Sequence, residues 1–446
     1  MASANKQASD LVAKLKAKSA TSRDEVIDEL IQLGAAAVPP LIKALRHKDY
    51  KVRMAAAQAL GRIRNKEAIS ALIETLSDSS KNAQEAAADA LTKIGPPAVS
   101  ALLDALIGKD QSARKWAAEA LGSIGDESVA HELVARLSDA NIEVQRAVVT
   151  ALGALKSKKA IQPLIGVLSS DNVELARAAA EALGKIRGSV AVEPLIDTLQ
   201  SPSDDVRRAA AQSLAQMGTR AVPPLLEALQ SPNYMVRRYA AEILGQIGDE
   251  RARQPLLKSL GDENDRVVHY AAIALGEVGK ESVIPHLAKL LRHAQASVRC
   301  ASVQGLAAIG SPKVVPHLAA MLDDEDWVTR LTAAKGLGRV GSRTCIPHLA
   351  RALRDDEWSV RLHAALSLGH IGIKKDAVQA LEETLKDPKS TVRRGACEAL
   401  AMLGDASCVD ALGALSRDED DKVQQAAAAA IFEIVGEEYV PTKARR

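Results

Sequence analysis

Apolar residues fall along the chain in short helical bursts divided by polar breaks, and the bursts return at a nearly fixed interval. One unit reads Pro40-Leu41-Ile42-Lys43-Ala44-Leu45, then Asp49, then Val52-Arg53-Met54-Ala55-Ala56-Ala57-Gln58-Ala59-Leu60-Gly61-Arg62-Ile63. Its first Leu returns at Leu72, Leu102, Leu133, Leu164, Leu195, Leu225, Leu256, Leu287, Leu318, Leu349, Leu381 and Leu412. The Leu of Ala-Leu-Gly returns at Leu91, Leu121, Leu152, Leu183, Leu214, Leu244, Leu275, Leu306, Leu337, Leu368 and Leu400, with Ile431 last. Both series step by 31 residues, except for 30 after the second and sixth repeats and 32 after the eleventh. Two independent series slip at the same places, so the register is real. It holds thirteen repeats, and Leu11 and Leu30 extend it backwards as a degenerate capping unit. The expected organisation is a tail over 1–7, a cap over 8–34, thirteen repeats over 35–435 in one solenoid, and a tail over 436–446. The irregular steps near residues 95, 218 and 373 are expected to change the local twist.

Each unit reads as two helices. Helix A carries apolar residues at helical spacing, as in Leu41, Ile42 and Leu45. Pro163, Pro194, Pro224 and Pro255 fit its first turn, where a missing N–H costs nothing. Helix B follows an N-cap position that holds Asp49, Ser80, Asp110, Asn141, Asn172, Ser203, Asn233, Asn264, Asp326 and Asp420. Gln295, Glu357 and Lys389 are the exceptions. Helix B ends at Gly in many repeats, including Gly95, Gly125, Gly218, Gly248, Gly279, Gly310, Gly341, Gly372 and Gly404, which suits a left-handed cap.

Composition agrees with helix. About 80 of the 446 residues are alanine, far above ordinary usage, and aromatic residues make up only 2%. Runs such as Ala55-Ala56-Ala57, Ala86-Ala87-Ala88 and Ala178-Ala179-Ala180 combine high helix propensity with close helix approach. A large sheet is disfavoured, and no stretch approaches the ~20 apolar residues of a membrane span. Disorder is excluded by 47% hydrophobic content with a net charge of +2.

The stretches Val206-Arg207-Arg208-Ala209-Ala210-Ala211, Ala182-Leu183-Gly184-Lys185-Ile186 and Ala191-Val192-Glu193-Pro194-Leu195-Ile196 resemble the HEAT repeat, in its short phycobilisome-lyase-like form. The resemblance covers about residues 8 to 435. It implies an all-α, right-handed α-solenoid with A helices on the convex side and B helices lining the concave side. It is almost silent on activity, since the family spans scaffolds, lyase subunits and a metal-dependent hydroxylase.

Recurring charged residues are best explained by the fold. Arg53, Arg114, Arg207, Arg237, Arg299, Arg330, Arg361 and Arg393 share one repeat position. Asp78, Asp139, Asp262, Asp324, Asp355 and Asp387 follow helix A at a distance that allows pairing, so an internal ladder is expected rather than a phosphate-binding stripe. His286, His317 and His348 recur as Pro-His-Leu, but adjacent rungs lie ~10 Å apart, while zinc needs its ligand nitrogens ~2 Å from one ion. His363 and His370 lie two turns apart on one helix. The hydroxylase members hold two irons with several His-Glu pairs, and this chain has only His131-Glu132. No metal or cofactor is expected. Cys300, Cys345, Cys397 and Cys408 lack CxxC spacing, with Cys397 in place of a helix B alanine. A reduced, cytoplasmic compartment is inferred. No phosphate loop, nucleophile elbow or HExxH motif occurs, and the chain is read as non-catalytic.

The informative residues are the aromatics, since Ala and Leu build the core without them. Tyr50, Tyr234, Trp327 and Trp358 open B helices, and Trp116, Tyr239 and Tyr270 lie five residues further on. Repeats seven and eight gather Tyr234, Met235, Arg238, Tyr239, Glu242, Arg266, His269, Tyr270 and Ile273. Repeats ten and eleven gather Trp327, Leu331, Lys335, Arg339, Trp358, Leu362 and His363. Tyr, Trp, Arg and Met are enriched at interface cores, so these residues, with Trp116, form the expected partner site.

Three functions follow. The first is a protein-interaction scaffold or adaptor that binds a protein or peptide segment along the helix B surface, on the order of 130 Å long at ~9–10 Å per layer. The second is a bilin-lyase-type subunit, as the resemblance allows. The third is nucleic-acid binding by Lys51, Arg62, Lys115, Arg146, Arg177, Lys185, Arg208 and Arg238. These alternate with Glu119, Glu143, Glu174, Glu181, Asp204 and Asp205, and the pI is ≈ 8.2, below the ~9 of a phosphate-tracking domain. A monomer without a membrane segment is the expected state.

Overall fold

The structure is a computed structural model that describes residues 2–16 and 20–436. The basic terminus with Lys443, Arg445 and Arg446 lies outside the described residues. The chain forms two compact units, Met1–Ala221 and Val222–Arg446. Each is a stack of two-helix repeats with no strand among the described residues. A typical A helix spans seven residues behind a three-residue 3-10 turn, as in Lys66–Ala68 and Ile69–Thr75. B helices from Tyr50–Ile63 to Ser390–Leu403 span fourteen residues, and the last, Asp421–Val435, spans fifteen. The chain starts with helices Ala2–Lys14 and Ala20–Leu33, so helix already begins inside the segment expected as a tail. Leu11 and Leu30 of these helices are buried.

Hydrophobic burial fixes the register. Every Leu of the two series is buried to 0% exposure, and Ile431 to 2%. Each such side chain contributes roughly 2–3 kcal/mol. Eight of the ten expected N-caps accept a backbone N–H, as Asp110 does from Ala113 at 2.8 Å. Ser80 and Ser203 hold the extended cap backbone without a side-chain bond, while Glu357 caps through the Ser359 amide.

The Arg-Asp ladder is present and bidentate. Arg114 donates from Nε and Nη2 to Asp139 at 2.8 and 2.9 Å, and from Nη1 to the carbonyls of Gly108 and Lys109. Asp139 also accepts from the Asn141 amide, which seats the next N-cap. The geometry repeats at Arg53–Asp78, Arg237–Asp262, Arg299–Asp324, Arg330–Asp355 and Arg361–Asp387. Arg393 pairs with Asp418, a partner outside the expected set. Arg207 has no carboxylate 25 residues on; it reaches Asp204 on its own helix, and its Nε is buried without a partner.

Between repeats, the Gly of Ala-Leu-Gly sets the spacing of B helices. A Cβ on Gly61, Gly122 or Gly245 would lie 2.6, 2.6 or 2.7 Å from the Cα of Ala90, Ala151 or Ala274 in the next B helix. In the last repeat this position holds Phe432, which is 58% exposed.

The irregular steps have local causes. Gly95, at φ 79° and ψ −141°, is both the end of one helix and the cap of the following 3-10 turn, so one residue is saved. Gly218 takes the same conformation, at φ 63° and ψ −139°. The 32-residue step carries a continuous helix Lys374–Thr384 in place of turn plus short helix. Gly279 departs from the expected left-handed cap. It has φ −94°, and Lys280 takes the positive φ of 51°. Space dictates glycine there, because a Cβ would sit 2.5 Å from Val283 Cγ2.

Candidate partner-binding surface

On the B helices the first, fifth and ninth residues form an outward stripe, with buried Cys300 as an exception at a fifth position, and the sixth turns against the neighbouring repeat. One residue of helix rotates the side chain by about 100°, and that rotation sorts the aromatics. Trp327 and Trp358 open their helices and are 45% and 40% exposed; Tyr234 is 36% exposed. Trp116 and Tyr239 occupy the sixth position and are buried at 8% and 3%. The Trp116 Nε1–H donates to Gln84 Oε1 of the preceding repeat at 2.9 Å, with Lys115 Nζ 5.0 Å from its ring. These two rings therefore pack inside the stack instead of facing outward.

Repeats seven and eight form a cluster centred on Arg238, in which Glu242 Oε2 is buried without a hydrogen-bond partner. The Arg238 guanidinium lies 4.1 Å from the Tyr239 ring centre and 4.2 Å from that of Tyr270. Its Nη2 donates to the Tyr270 hydroxyl at 2.6 Å and stands 3.2 Å from Glu242 Oε2. Burial pushes the Glu242 carboxyl above the usual range. His269 meets Tyr270 edge-on at 5.0 Å, and its Nδ1 lies 2.8 Å from the Ser297 carbonyl. Burial holds this imidazole below its ordinary value. Met235 and Ile273 are half-buried, and Arg266 is exposed.

Repeats ten and eleven present a different surface. Trp327 and Leu331 on helix Trp327–Val340, with Trp358 and Leu362 on helix Trp358–Ile371, run along adjacent stripes. Leu366, the ninth residue of its helix and half-buried, continues the second stripe. The helix period places it on the stripe, although it carries no aromatic ring. His363 sits at a sixth position, with Nδ1 2.8 Å from the Ser359 carbonyl and its basicity lowered by burial. These helices carry apolar residues on the core face and on part of the outward face, where Lys335 and Arg339 are exposed beside them.

All four cysteines are buried, and burial pushes the Cys397 thiol up to about 12 and that of Cys408 up to about 11. Among the described residues, no group of three or more His, Cys, Asp or Glu is placed to hold a metal ion. No helix of the described residues is long and apolar enough to cross a membrane.

Repeated helix pairs, the buried Leu series and the Arg-Asp ladder define an α-solenoid, and the sequence matches the HEAT-repeat family over 8–79, 69–137, 130–215, 192–275, 262–330, 315–395 and 383–442. The chain belongs to the HEAT-repeat family. Among solved structures it is similar to Kap95p in a study of Kap95p binding to RanGDP, with TM-score 0.60 and 15% identity over 96% of this chain and 70% of that one. It is also similar to Kap121p bound to Pho4p (TM-score 0.68, 14% identity, 97% of this chain) and to Kap121p bound to Nup53p (0.64, 14%, 98%), in each case spanning 57% of the Kap121p chain. At this identity the similarity shows the fold. No curated protein sequence matches the chain significantly.

Proposed function

We propose that the chain is a non-catalytic interaction scaffold whose partner is a protein or peptide segment laid across B helices, centred on repeats ten and eleven. The observation that carries this reading is the pair of exposed tryptophans flanking Leu331 and Leu362. Tryptophan is among the residue types enriched at interface hot spots, and a helix-lined groove suits an extended or helical segment. The structures of Kap121p with Ste12p, Pho4p or Nup53p support the reading as examples of one fold holding protein ligands. The cluster of repeats seven and eight then forms a stiff flank that offers Tyr234, Met235, Arg266 and Ile273. The short period, with its seven-residue A helices, supports assignment to the phycobilisome-lyase-like subtype.

Nucleic-acid binding is less well supported, because six of the eight outward basic residues are already paired with carboxylates. Arg62 pairs with Asp28, Arg146 with Glu143, Arg177 with Glu174 and Glu181, and Arg208 with Asp204. The test is affinity purification with mass spectrometry, comparing the wild type with Leu331→Asp/Leu362→Asp, each checked for helicity. The partner recovered by the wild type should be lost from the variant. Equal recovery overturns the assignment of the surface.

A further inference from the structure

We propose that Trp327 is the seat of a basic side chain, so that the partner segment carries lysine or arginine where it crosses repeat ten. The proposal rests on the scaffold reading above and adds the chemistry of the ligand. The repeat itself supplies the template. Trp358 opens the B helix of repeat eleven, and Lys389, at the N-cap of the following B helix, places its Nζ 5.7 Å from the Trp358 ring centre. Trp327 opens the B helix of repeat ten in the same register, but the N-cap of the helix that follows it is Glu357. One ring thus has its cation from inside the chain, while the other has a carboxylate where that cation would originate.

The local charge balance points the same way. Glu357 is held at its helix start by the Ser359 amide and hydroxyl, and Asp326 caps the helix that Trp327 opens. Arg299 is shared by Asp324 and Glu325, and Arg330 by Asp355 and Asp356. Arg361, nearby, is committed to Asp387. Carboxylates therefore outnumber cations around Trp327, and Glu325 and Asp356 are 84% and 89% exposed. A cation over an indole face is attracted by the ring quadrupole. Surrounding carboxylates add selectivity for that sign of charge. An acidic segment meets repulsion at the same place.

The probe is a short end-capped peptide of alternating lysine and leucine, with a glutamate-leucine peptide as control, added to the full chain. Binding is measured by calorimetry, and the Trp327 indole N–H is followed by NMR. The lysine peptide should move the Trp327 resonance, and the glutamate peptide should not. Glu357→Lys fills the seat from inside and should weaken binding about three- to tenfold, whereas Lys389→Glu opens a second seat at Trp358 and should strengthen it by a similar factor. Trp327→Leu, which leaves every charge in place, should weaken binding, and Trp327→Phe should restore part of it. A lysine peptide that binds without moving Trp327, or charge variants with unchanged affinity, overturns the proposal. If Leu331→Asp/Leu362→Asp loses the partner while these charge variants bind the lysine peptide alike, the surface stands and the basic seat falls.

Discussion

Removal of the Asp139 carboxylate tests whether the ladder holds the stack together. In Asp139→Ala, Arg114 loses two charge-assisted bonds of 2.8 and 2.9 Å and keeps only the carbonyls of Gly108 and Lys109. The Arg114 side chain is 14% exposed and that of Asp139 5%, so water replaces little of what is lost. Breaking one side of a buried pair costs about 3–5 kcal/mol. The orphaned Asn141 amide adds about 1 kcal/mol. Replacing both partners, as in Arg114→Met/Asp139→Leu, leaves no stranded charge and should cost less than either single change. In a repeat stack the loss is local. Trp116 lies buried two residues from Arg114, so its fluorescence in a Trp327→Phe/Trp358→Phe background reports on this part of the stack. Urea unfolding should shift by about 4–6 kcal/mol, with hydrogen exchange accelerated in Gln111–Ile124 and Ile142–Leu155. A loss under about 1 kcal/mol, or a double variant equal to the sum of the singles, would refute the view of the ladder as an interdependent buried pair.

Other consequences can be checked in the same way. Gly245→Ala places a methyl 2.7 Å from Ala274 Cα; overpacking should outweigh the gain in helix propensity and cost about 1–3 kcal/mol in thermal or urea unfolding. Arg187→Gly should do the reverse, since Arg187 ends its helix at φ 58°, and relief of that strain should add about 0.5–1 kcal/mol, read as a raised Tm. Stability should fall with acid in two stages, measured by urea midpoints across pH. Burial holds His269 and His363 below the ordinary imidazole value, so the unfolded chain takes up protons first and stability declines as pH drops through about 6.5. Pairing with Arg114 holds Asp139 below the usual carboxylate range, as Arg393 does for Asp418. Their contribution is complete above about pH 4 and is lost as pH falls through the lowered values. A flat profile between pH 7 and 5, or Asp139→Asn with an unchanged acid limb, would contradict these assignments.

The repeat, its two-helix units and most of the ladder were legible because each is a periodic demand made many times, so that one degenerate repeat is outvoted by its neighbours. Side-chain facing within a helix was harder to read. Trp116 and Trp327 differ in position by five residues of a B helix, and only packing shows that one ring is capped by Gln84 while the other stands outside. The positive φ at Lys280 was hidden for a similar reason. Gly279 matches the cap pattern in sequence, but it is needed for the room it leaves beside Val283. Arg393–Asp418 needed no new signal, since it follows the same spacing as the other pairs. The Glu357 and Lys389 exceptions among the N-caps acquired meaning only once the rings beside them were placed.

The glycines that follow the second leucine series have a consequence for tolerance to change. At Gly61, Gly122 and Gly245 the nearest atom to an added Cβ is the backbone of the next B helix. A side chain introduced there must displace a whole helix instead of turning a neighbouring side chain aside, and a densely packed interior passes such a displacement onward. The rungs are therefore joined with no slack at these points, so a change at one of them is felt in the next.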